Sequence, residues 1–530
     1  MLDILIRDAM VIDGSGRDSY RGTVGIKGDR IVLNCQGAEA AQVIEGAGLY
    51  LAPGFIDSHS HSDYILSEDF AQLIKISQGV TTEISGNCGI SPAPVGPGRV
   101  QLVQELINKS ETDFPAEMET WTSYEKYLEY LRAAPRLTNS CSYVGLGSLR
   151  AAVMGFENRR PTQQELERMK ELLEEAMKLG AMGVSTGLVY PPCCYAQLDE
   201  IVELAKVAKK YGGIYATHMR NESDGVVEAV QEAIEVGRQS GCTVVISHHK
   251  ILGKSNWGLQ KQTLKLIEDA NAEGIDVLCD QYPYTRNMTG LAVCVPPVYY
   301  NEGISMLAQR LGDPAFRRRL KAEMQQTPPT YDNYYQNAGG WEGVLVCSAP
   351  STKEAEGLTI HEYARQIGKD EFEAYFDILE KNKGQTLGVY SSMCEQDVFE
   401  IALAPNTVVG SDGIPTSLTN MTHPRTFGTF PRAICYYHKE KGLMTLEQVI
   451  HKMTGKTAER LRIPQRGRIE DGYFADLVIF NYEKLKDNAT YTEPTKFADG
   501  IEYVIVNGRI AYQDKHLTGA RSGRLLYSSR

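Results

Sequence analysis

The middle of the chain alternates short apolar runs with longer amphipathic stretches, and the unit recurs at roughly thirty-residue spacing. Residues 165–179, 198–208 and 223–237 carry apolar side chains three or four positions apart, so we expect helices with one buried face. The apolar runs between them are short enough to be buried strands. Strands that alternate with helices pair in parallel, and each connecting helix packs back onto the sheet. The pattern therefore predicts an α/β protein.

Eight apolar runs of this kind occur along the chain, which is the number of strands that closes a (β/α)₈ barrel. They lie at residues 54–58, 80–85, 140–144, 182–189, 214–218, 243–247, 275–280 and 407–412. The sequence therefore predicts a TIM-type barrel.

The two chain ends and one internal stretch do not follow this alternation of strands and helices. Residues 1–50 and 465–525 hold short β-like runs without long helical stripes, so we expect one small β-domain, a sandwich or barrel, built from both ends. Residues 290–350 are rich in Tyr, Pro and Gly and carry one basic helix near 314–324. We interpret them as an inserted subdomain or lid near the active site. The barrel would then comprise residues 51–289 and 351–464.

The amino-acid composition limits the kinds of binding partner and the cellular compartment that we expect for this protein. Fifty-five basic and 67 acidic side chains give a net charge of −12, which argues against charge-driven binding to nucleic acid or anionic membranes. We find no apolar run of membrane-spanning length and no apolar N-terminal segment that would predict export. The eleven cysteines lack a C-x-x-C pair and are typical of a reducing cytoplasm. These features predict a cytoplasmic protein that acts on a small molecule; oligomeric state stays open.

Residues with metal-binding or acid–base side chains fall at the predicted strand ends. The C-terminal ends of parallel barrel strands meet at one mouth, where active sites are built. Six such residues lie at five of these ends: His59, His61, Cys88, His218, His248 and Asp412. A single histidine at a strand end is more often structural, and a single cysteine is often an inert buried thiol. Their coincidence on one face predicts a metal site.

This donor set indicates a particular chemistry. Thiolate and imidazole together are ligands that zinc prefers. Zinc lowers the pKa of a water molecule and polarises a carbonyl oxygen, and a neighbouring aspartate can move the proton to a departing amine. Gly145-Leu-Gly147 lacks the third glycine of a dinucleotide loop, and no phosphate-binding Gly-Lys-Ser/Thr loop occurs. Hydrolysis of an amide or a related C–N bond is the prediction.

Several segments resemble the amidohydrolase superfamily and, within it, the N-acyl-D-amino-acid deacylases. They are Leu51-Ala-Pro-Gly-Phe-Ile-Asp-Ser-His-Ser-His, Gly86-Asn-Cys-Gly, Ser185-Thr-Gly-Leu-Val-Tyr-Pro-Pro, Thr217-His-Met-Arg-Asn-Glu, Ser247-His-His-Lys, Ser411-Asp-Gly, His423-Pro-Arg-Thr-Phe-Gly-Thr-Phe-Pro-Arg and Gly472-Tyr-Phe-Ala-Asp-Leu-Val-Ile-Phe. The likeness runs from about residue 1 to 525 and is weakest in 290–350.

The resemblance implies roles for individual residues. It implies a tight zinc site at Cys88, His218 and His248, a weaker second site at His59 and His61 that Cys88 can bridge, and Asp412 as the catalytic acid/base. It implies that four side chains hold the substrate carboxylate: Tyr190, Lys250, Tyr282 and Arg425. Residues 182–189 contain no lysine, which favours the cysteine-bridged subtype over relatives that bridge two metals with a modified lysine.

We therefore predict zinc-dependent hydrolysis of N-acyl-D-amino acids to a D-amino acid and a carboxylate. D-configuration rests on the resemblance alone. One alternative is a cyclic amidase of the hydantoinase type, or a deaminase, from the same superfamily. Another is a non-catalytic scaffold on the same barrel. The preferred side chain and acyl group, and occupancy of one or two metal sites, stay open at this point.

Overall fold

The computed structural model describes residues 1–63, 65, 68–107, 115–415 and 417–527. Its strands are β1 Leu2–Val11, β2 Tyr20–Lys27, β3 Arg30–Val32, β4 Ala40–Glu45, β5 Tyr50–Pro53, β6 Phe55–Asp57, β7 Val80–Ser85, β8 Asn139–Ser142, β9 Val144–Gly145, β10 Gly183–Gly187, β11 Ile214–His218, β12 Thr243–Ile246, β13 Val277–Gln281, β14 Asn287–Gly290, β15 Val344–Ser348, β16 Leu387–Tyr390, β17 Thr407–Val409, β18 Leu477–Phe480, β19 Ile501–Val506, β20 Arg509–Gln513 and β21 His516–Leu517.

Its α-helices are α1 Asp69–Ile76, α2 Val100–Ile107, α3 Tyr124–Ala133, α4 Leu146–Val153, α5 Gln163–Lys178, α6 Leu198–Lys210, α7 Val226–Ser240, α8 Gln260–Ala272, α9 Ile304–Arg310, α10 Pro314–Met324, α11 Tyr334–Asn337, α12 Ile360–Ile367, α13 Glu371–Lys381, α14 Glu395–Leu403, α15 Arg425–Arg432, α16 Leu446–Met453 and α17 Gly455–Arg460. A π-helical segment, Ala433–Glu440, continues α15. Among the described residues, no helix combines the length and the apolar character needed to cross a bilayer.

The predicted barrel is confirmed. Parallel pairing runs from β6 through β7 to β8, and from β9 through β10, β11, β12 and β13 to β17. A parallel bridge between Ser60 and Gly413 joins the first strand end to the eighth. The third strand is broken at Tyr143 into β8 and β9. Because all eight strands run the same way, their C-terminal ends converge on one mouth.

The helices around the barrel form where the apolar periodicity places them. α5 begins with a capping box, in which the Thr162 hydroxyl accepts from the Glu165 amide and the Glu165 carboxylate accepts from the Thr162 amide. Its apolar face, which includes Met169 and Leu173, joins the largest buried cluster, between the barrel wall and the helices. Two amide groups that would otherwise lack partners are thereby satisfied at the start of the helix.

Both chain ends build one nine-stranded sheet. Its order is β21-β20-β19-β18-β5-β1-β2-β3, with β4 paired to β1. β5 is the seam, because it pairs with β1 on one side and with β18 on the other. We propose that this small domain comprises residues 1–53 and about 465–525, slightly more than the predicted 1–50 and 465–525.

We propose that the insertion extends beyond the predicted residues 290–350. β14, β16 and β15 form a separate antiparallel sheet, and β16 lies forty residues past the predicted end. Apolar side chains of α12 and α13, such as Tyr363 and Phe376, are buried in the same cluster as Trp341 and Val293. Residues 351–390 therefore share a buried cluster with the insertion, and the barrel pattern resumes at α14. We propose an inserted subdomain spanning 287–390.

Candidate metal and catalytic site

Four of the predicted donors converge at the barrel mouth. Donor atoms of His59, Cys88, His248 and Asp412 all lie within 4.8 Å of one another. Cys88 Sγ is 3.4 Å from His59 Nε2 and 3.4 Å from His248 Nε2. These residues come from the ends of β6, β7, β12 and β17, so the barrel brings together side chains far apart in the sequence. All four are buried.

His218 ends β11 and lies beside this group. Its ring is 4.5 Å from the ring of His248, centroid to centroid. His218, Glu222 and His248 form a second set of donors whose atoms lie within 4.8 Å of one another. Neither ring nitrogen of His218 has a hydrogen bond with the described residues, although the side chain is buried. An unsatisfied buried imidazole is costly, and a bound cation would satisfy it.

The backbone at three of these residues is held in an unusual conformation. Cys88, His248 and Asp412 have φ values of 54°, 37° and 49°, in the left-handed region that non-glycine residues seldom occupy. The glycines around Cys88 permit close approach: a Cβ on Gly86 would lie 2.1 Å from the carbonyl oxygen of Tyr143. Strain of this kind persists where the surrounding structure over-determines it, most often at functional sites.

Opposing effects set the protonation states of the donors. Burial alone would raise the pKa of Cys88, but the imidazoles of His59 and His248 lower it well below its ordinary value. Burial lowers the pKa of His218, which favours the neutral ring. Thiolate and neutral imidazole are the forms that ligate a metal. Against the effect of burial, the Cys88 thiolate and neighbouring carboxylates raise the pKa of His59 and His248, so these two rings must lose a proton to bind a metal. The fit to a zinc ion therefore rests on the donor set, a thiol beside imidazoles.

Asp412 lies between His61 and Arg425, two residues that the sequence analysis assigned to the site. Its Oδ1 is 3.1 Å from His61 Nε2, and its Oδ2 is 2.9 Å from a terminal nitrogen of Arg425. Although burial opposes the shift, the guanidinium and the nearby histidines hold the pKa of Asp412 well below its usual range. For His61, burial is outweighed chiefly by the hydrogen bond to Asp412, which raises its pKa to about 9. Asp412 is thus an ionised carboxylate facing the donor cluster.

Three of the four residues predicted to hold the substrate carboxylate lie together, and the fourth, Tyr190, lies beside His218. The Arg425 guanidinium lies over the Tyr282 ring, 4.7 Å from its centroid, and Lys250 Nζ lies 5.9 Å from the same centroid. The Tyr190 ring is 5.0 Å from that of His218, and its hydroxyl is 3.0 Å from Thr289 Oγ1. The buried Tyr282 hydroxyl and Arg425 Nε have no hydrogen-bond partner among the described residues.

Two acidic residues escaped the sequence analysis. Glu222 is 1% exposed at its side chain and lies 2.7 Å from Lys250 Nζ and 3.1 Å from His248 Nδ1. Asp280, near the end of β13, lies 3.3 Å from His59 Nδ1 and accepts the backbone amide of His248 at 2.8 Å. Carboxylates behind histidine ligands fix ring orientation and tautomer. The signal for Asp280 was its place at a barrel strand end. Glu222 lies in a loop, and its signal was its place in the segment Thr217-His-Met-Arg-Asn-Glu that carries the family resemblance.

A cavity of about 1180 Å³, counting its open mouth, lies above these residues. Cys88, His218, His248 and Asp412 line its floor, and the inserted subdomain covers one side. Glu105 of α2 ties that subdomain to the barrel, accepting from the Ile304 amide at 3.0 Å and from the Ser305 hydroxyl at 2.7 Å. The site is therefore a partly enclosed chamber between the barrel and the inserted subdomain.

Comparison with known proteins adds independent information. A model of the amidohydrolase family matches residues 42–512. A D-aminoacylase from Alcaligenes xylosoxydans xylosoxydans is 36% identical, over 99% of this chain and 97% of its own. An N-acyl-D-aspartate deacylase from the same organism is 34% identical, over 99% and 95%. The crystal structure of an N-acyl-D-glutamate deacylase from Bordetella bronchiseptica, complexed with zinc and a phosphonate mimic of the tetrahedral intermediate, superposes with a TM-score of 0.84 at 32% identity, covering 99% and 100%.

Proposed function

Because the chain belongs to the amidohydrolase family, we propose that it is a zinc-dependent deacylase of N-acyl-D-amino acids. The relatives described above are named for this class of substrate, and one was crystallised with zinc. The observation that carries the proposal is the position of two buried cations beside the donor cluster. Lys250 Nζ lies 2.6 Å from His248 Nδ1, and Arg425 lies 2.9 Å from Asp412. A linear substrate with a free carboxylate suits this arrangement.

Cys88, His218 and His248 would hold the tight zinc ion, and His59 and His61 a weaker second one. Bound zinc supplies a Lewis acid that polarises the amide carbonyl and lowers the pKa of water. Glu222 and Asp280 would orient His248 and His59 from behind, which keeps the ring nitrogens facing the ion.

Asp412 carries the proton in this scheme. Its carboxylate takes a proton from the attacking water and returns it to the amide nitrogen as the C–N bond breaks, so the products are a carboxylate and a free amine. The low pKa of Asp412 keeps it ionised, so it carries no proton of its own when the water attacks. Arg425 and His61, both within 3.1 Å, fix the orientation of the carboxylate. A positioned carboxylate of this kind contributes about 10²–10⁴-fold to the rate.

The substrate carboxylate would lie against Arg425, Lys250, Tyr190 and Tyr282. Arg425 offers a planar fork that can pair with a carboxylate in two places, and the free Nε and the free Tyr282 hydroxyl supply further donors. Charge-assisted hydrogen bonds of this type each contribute about 1.5–3 kcal/mol. A substrate that lacks the negative charge of the α-carboxylate should therefore have a much lower kcat/KM.

We expect kcat/KM to fall by at least ~100-fold when N-acetyl-D-leucine is replaced by its carboxamide, because two charge-assisted contacts are lost. Initial rates on zinc-loaded protein measure this directly, with zinc content determined on the same sample. N-acetyl-L-leucine and a hydantoin with the same side chain serve as controls. Preferential opening of the hydantoin would replace the proposal with a cyclic amidase, and a carboxamide rate within tenfold would remove the assigned carboxylate site.

We also propose that the protein works in the cytoplasm. All eleven cysteines are free, including the adjacent Cys193 and Cys194, as is usual in a reducing compartment. Its partner in this scheme is the small-molecule substrate.

A further inference from the structure

The walls of the cavity bear on which N-acyl-D-amino acids the site accepts, an inference that rests on the function proposed above. Three separate parts of the molecule supply the walls: loops of the barrel, the helical part of the insertion, and its three-stranded sheet. Each presents apolar side chains to the cavity: Ile90 and Phe156, Val293 and Ile304, Met288 and Leu387, respectively.

Besides its α-carboxylate, an N-acyl amino acid carries two variable groups, one on each side of the reacting amide bond, which we call its arms. One arm is the amino-acid side chain, and the other is the acyl group. Each wall also carries polar groups, among them Ser91, Asn287 and Tyr300, but apolar side chains are present on all three, so either assignment of the arms to the walls places both arms beside apolar groups. An apolar arm gains about 25 cal/mol per Å² that it removes from water.

The charges around the cavity disfavour a second carboxylate. Among the described lining residues, Lys250 is the one lysine or arginine, and it is already paired with Glu222 at 2.7 Å. Arg425 is paired with Asp412. The acids Asp63 and Glu105 also line the cavity. Once the α-carboxylate lies against Lys250, the described lining residues offer no further lysine or arginine to an acidic side chain, and Asp63 and Glu105 would repel it.

We propose that the enzyme is specific for N-acyl-D-amino acids with apolar side chains and apolar acyl groups, and that it excludes D-aspartate and D-glutamate derivatives. The discrimination should be large, since a carboxylate buried without a partner loses its hydration. The chain is thereby distinguished from relatives named for acidic substrates.

Three substrates of similar length test this on the zinc-loaded enzyme: N-acetyl-D-methionine, N-acetyl-D-glutamine and N-acetyl-D-glutamate. We expect kcat/KM to fall at least 100-fold from methionine to glutamate, with glutamine between them, so that charge is separated from size. N-succinyl-D-methionine applies the same test to the acyl arm and should also lose at least 100-fold. A glutamate or succinyl rate within tenfold of N-acetyl-D-methionine would overturn the inference while leaving the deacylase function intact. Hydrolysis of none of the four would overturn both.

A second, independent feature is a buried ion pair beneath the mouth. Lys75 of α1 is fully buried, and its ammonium lies 2.6 Å from Asp57 Oδ2, 3.0 Å from Ser411 Oγ and 3.8 Å from Glu83. Asp57 Oδ1 accepts the backbone amides of His59 at 3.2 Å and Ser411 at 2.8 Å. One cation thus holds together the ends of the first and eighth barrel strands.

The same cluster fixes the backbone on both sides of Asp412. Ser411 Oγ lies 2.6 Å from Asp57 and accepts the Gly413 amide at 2.9 Å, while the Asp412 amide donates to the His59 carbonyl at 2.8 Å. Asp412 itself has a left-handed backbone, which neighbouring contacts must maintain. We infer that Lys75 is a positioning residue that acts through Asp57 and Ser411 to hold the Asp412 carboxylate in place.

Lys75→Met, Lys75→Arg and Ser411→Ala test this on the zinc-loaded protein below its unfolding transition. We expect Lys75→Met to lower kcat 10–100-fold with KM within twofold, Lys75→Arg to restore at least a third of the rate, and Ser411→Ala to lower kcat five- to tenfold. Arg150→Met is the matched control, because it breaks another buried pair, with Glu200 at 2.6 Å, away from the cavity. It should lower Tm and leave kcat within twofold. The inference is overturned if Ser411→Ala keeps full kcat, or if Lys75→Met lowers Tm alone, as the control does.

Discussion

Replacement of Asp412 by asparagine is expected to lower kcat by about 10²–10⁴-fold while zinc stays bound. The amide side chain keeps the shape of the carboxylate and can still face His61 and Arg425, but it cannot accept the proton of the attacking water. The proposed tight ligands, Cys88, His218 and His248, are untouched. Steady-state rates on N-acetyl-D-methionine and metal content of the same preparation measure the two effects separately.

Asp397→Asn is the matched control for this change. Asp397 is also buried, but it lies on α14 and accepts the Gly258 amide at 3.2 Å, outside the cavity. Its variant should keep kcat within twofold. A rate within tenfold of the native enzyme for Asp412→Asn would remove Asp412 from the proton-transfer role, and simultaneous loss of zinc would make it a ligand instead.

Cys88→Ala is expected to lose both metal and activity. The thiolate lies 3.4 Å from two imidazoles and belongs to both proposed sites, so its removal leaves each with fewer donors. Altering the groups behind a metal ligand typically costs 10–100-fold in affinity, so loss of a ligand itself should weaken zinc binding by at least ~100-fold. Competition with a chromophoric chelator gives the dissociation constant without reference to turnover.

Cys279→Ala controls for the removal of a buried thiol from a barrel strand. Cys279 lies on β13 and is 3.1 Å from Thr407 Oγ1, with no part in the donor cluster. It should retain native zinc affinity and rate. Full zinc binding and full rate in Cys88→Ala would show that the ligand set is wrong.

The barrel could be predicted because its strands and helices alternate with short local periods. The helices α5 and α6 lie where the apolar spacing placed them. The end of the insertion could not be predicted in the same way. α12 and α13 have amphipathic faces like those of barrel helices, and no local pattern says which sheet they cover. β14 pairs with β16 across nearly a hundred residues, and such a partnership is decided by tertiary packing.

The site could be anticipated from one rule, that functional side chains gather at the ends of parallel strands. The rule brings His59, Cys88, His218, His248 and Asp412 together because each follows a different strand. Their ligand and catalytic roles remain predictions. Glu222 could not be found by this rule, since a loop four residues beyond His218 carries it back toward the ring. The same holds for Lys75, whose role depends on α1 packing beneath the mouth.

The position of β5 between β1 and β18 has a consequence for how this chain folds during its synthesis. β18, its partner on one side, is synthesised about 420 residues later, so at ~5–20 residues per second the ribosome needs some 20–85 s to deliver it. During that interval the hydrogen-bonding edge of β5 is uncovered, and uncovered edges recruit other extended chains. Nascent polypeptides truncated before residue 477 should therefore aggregate or be held by chaperones, even when every barrel strand has already been made.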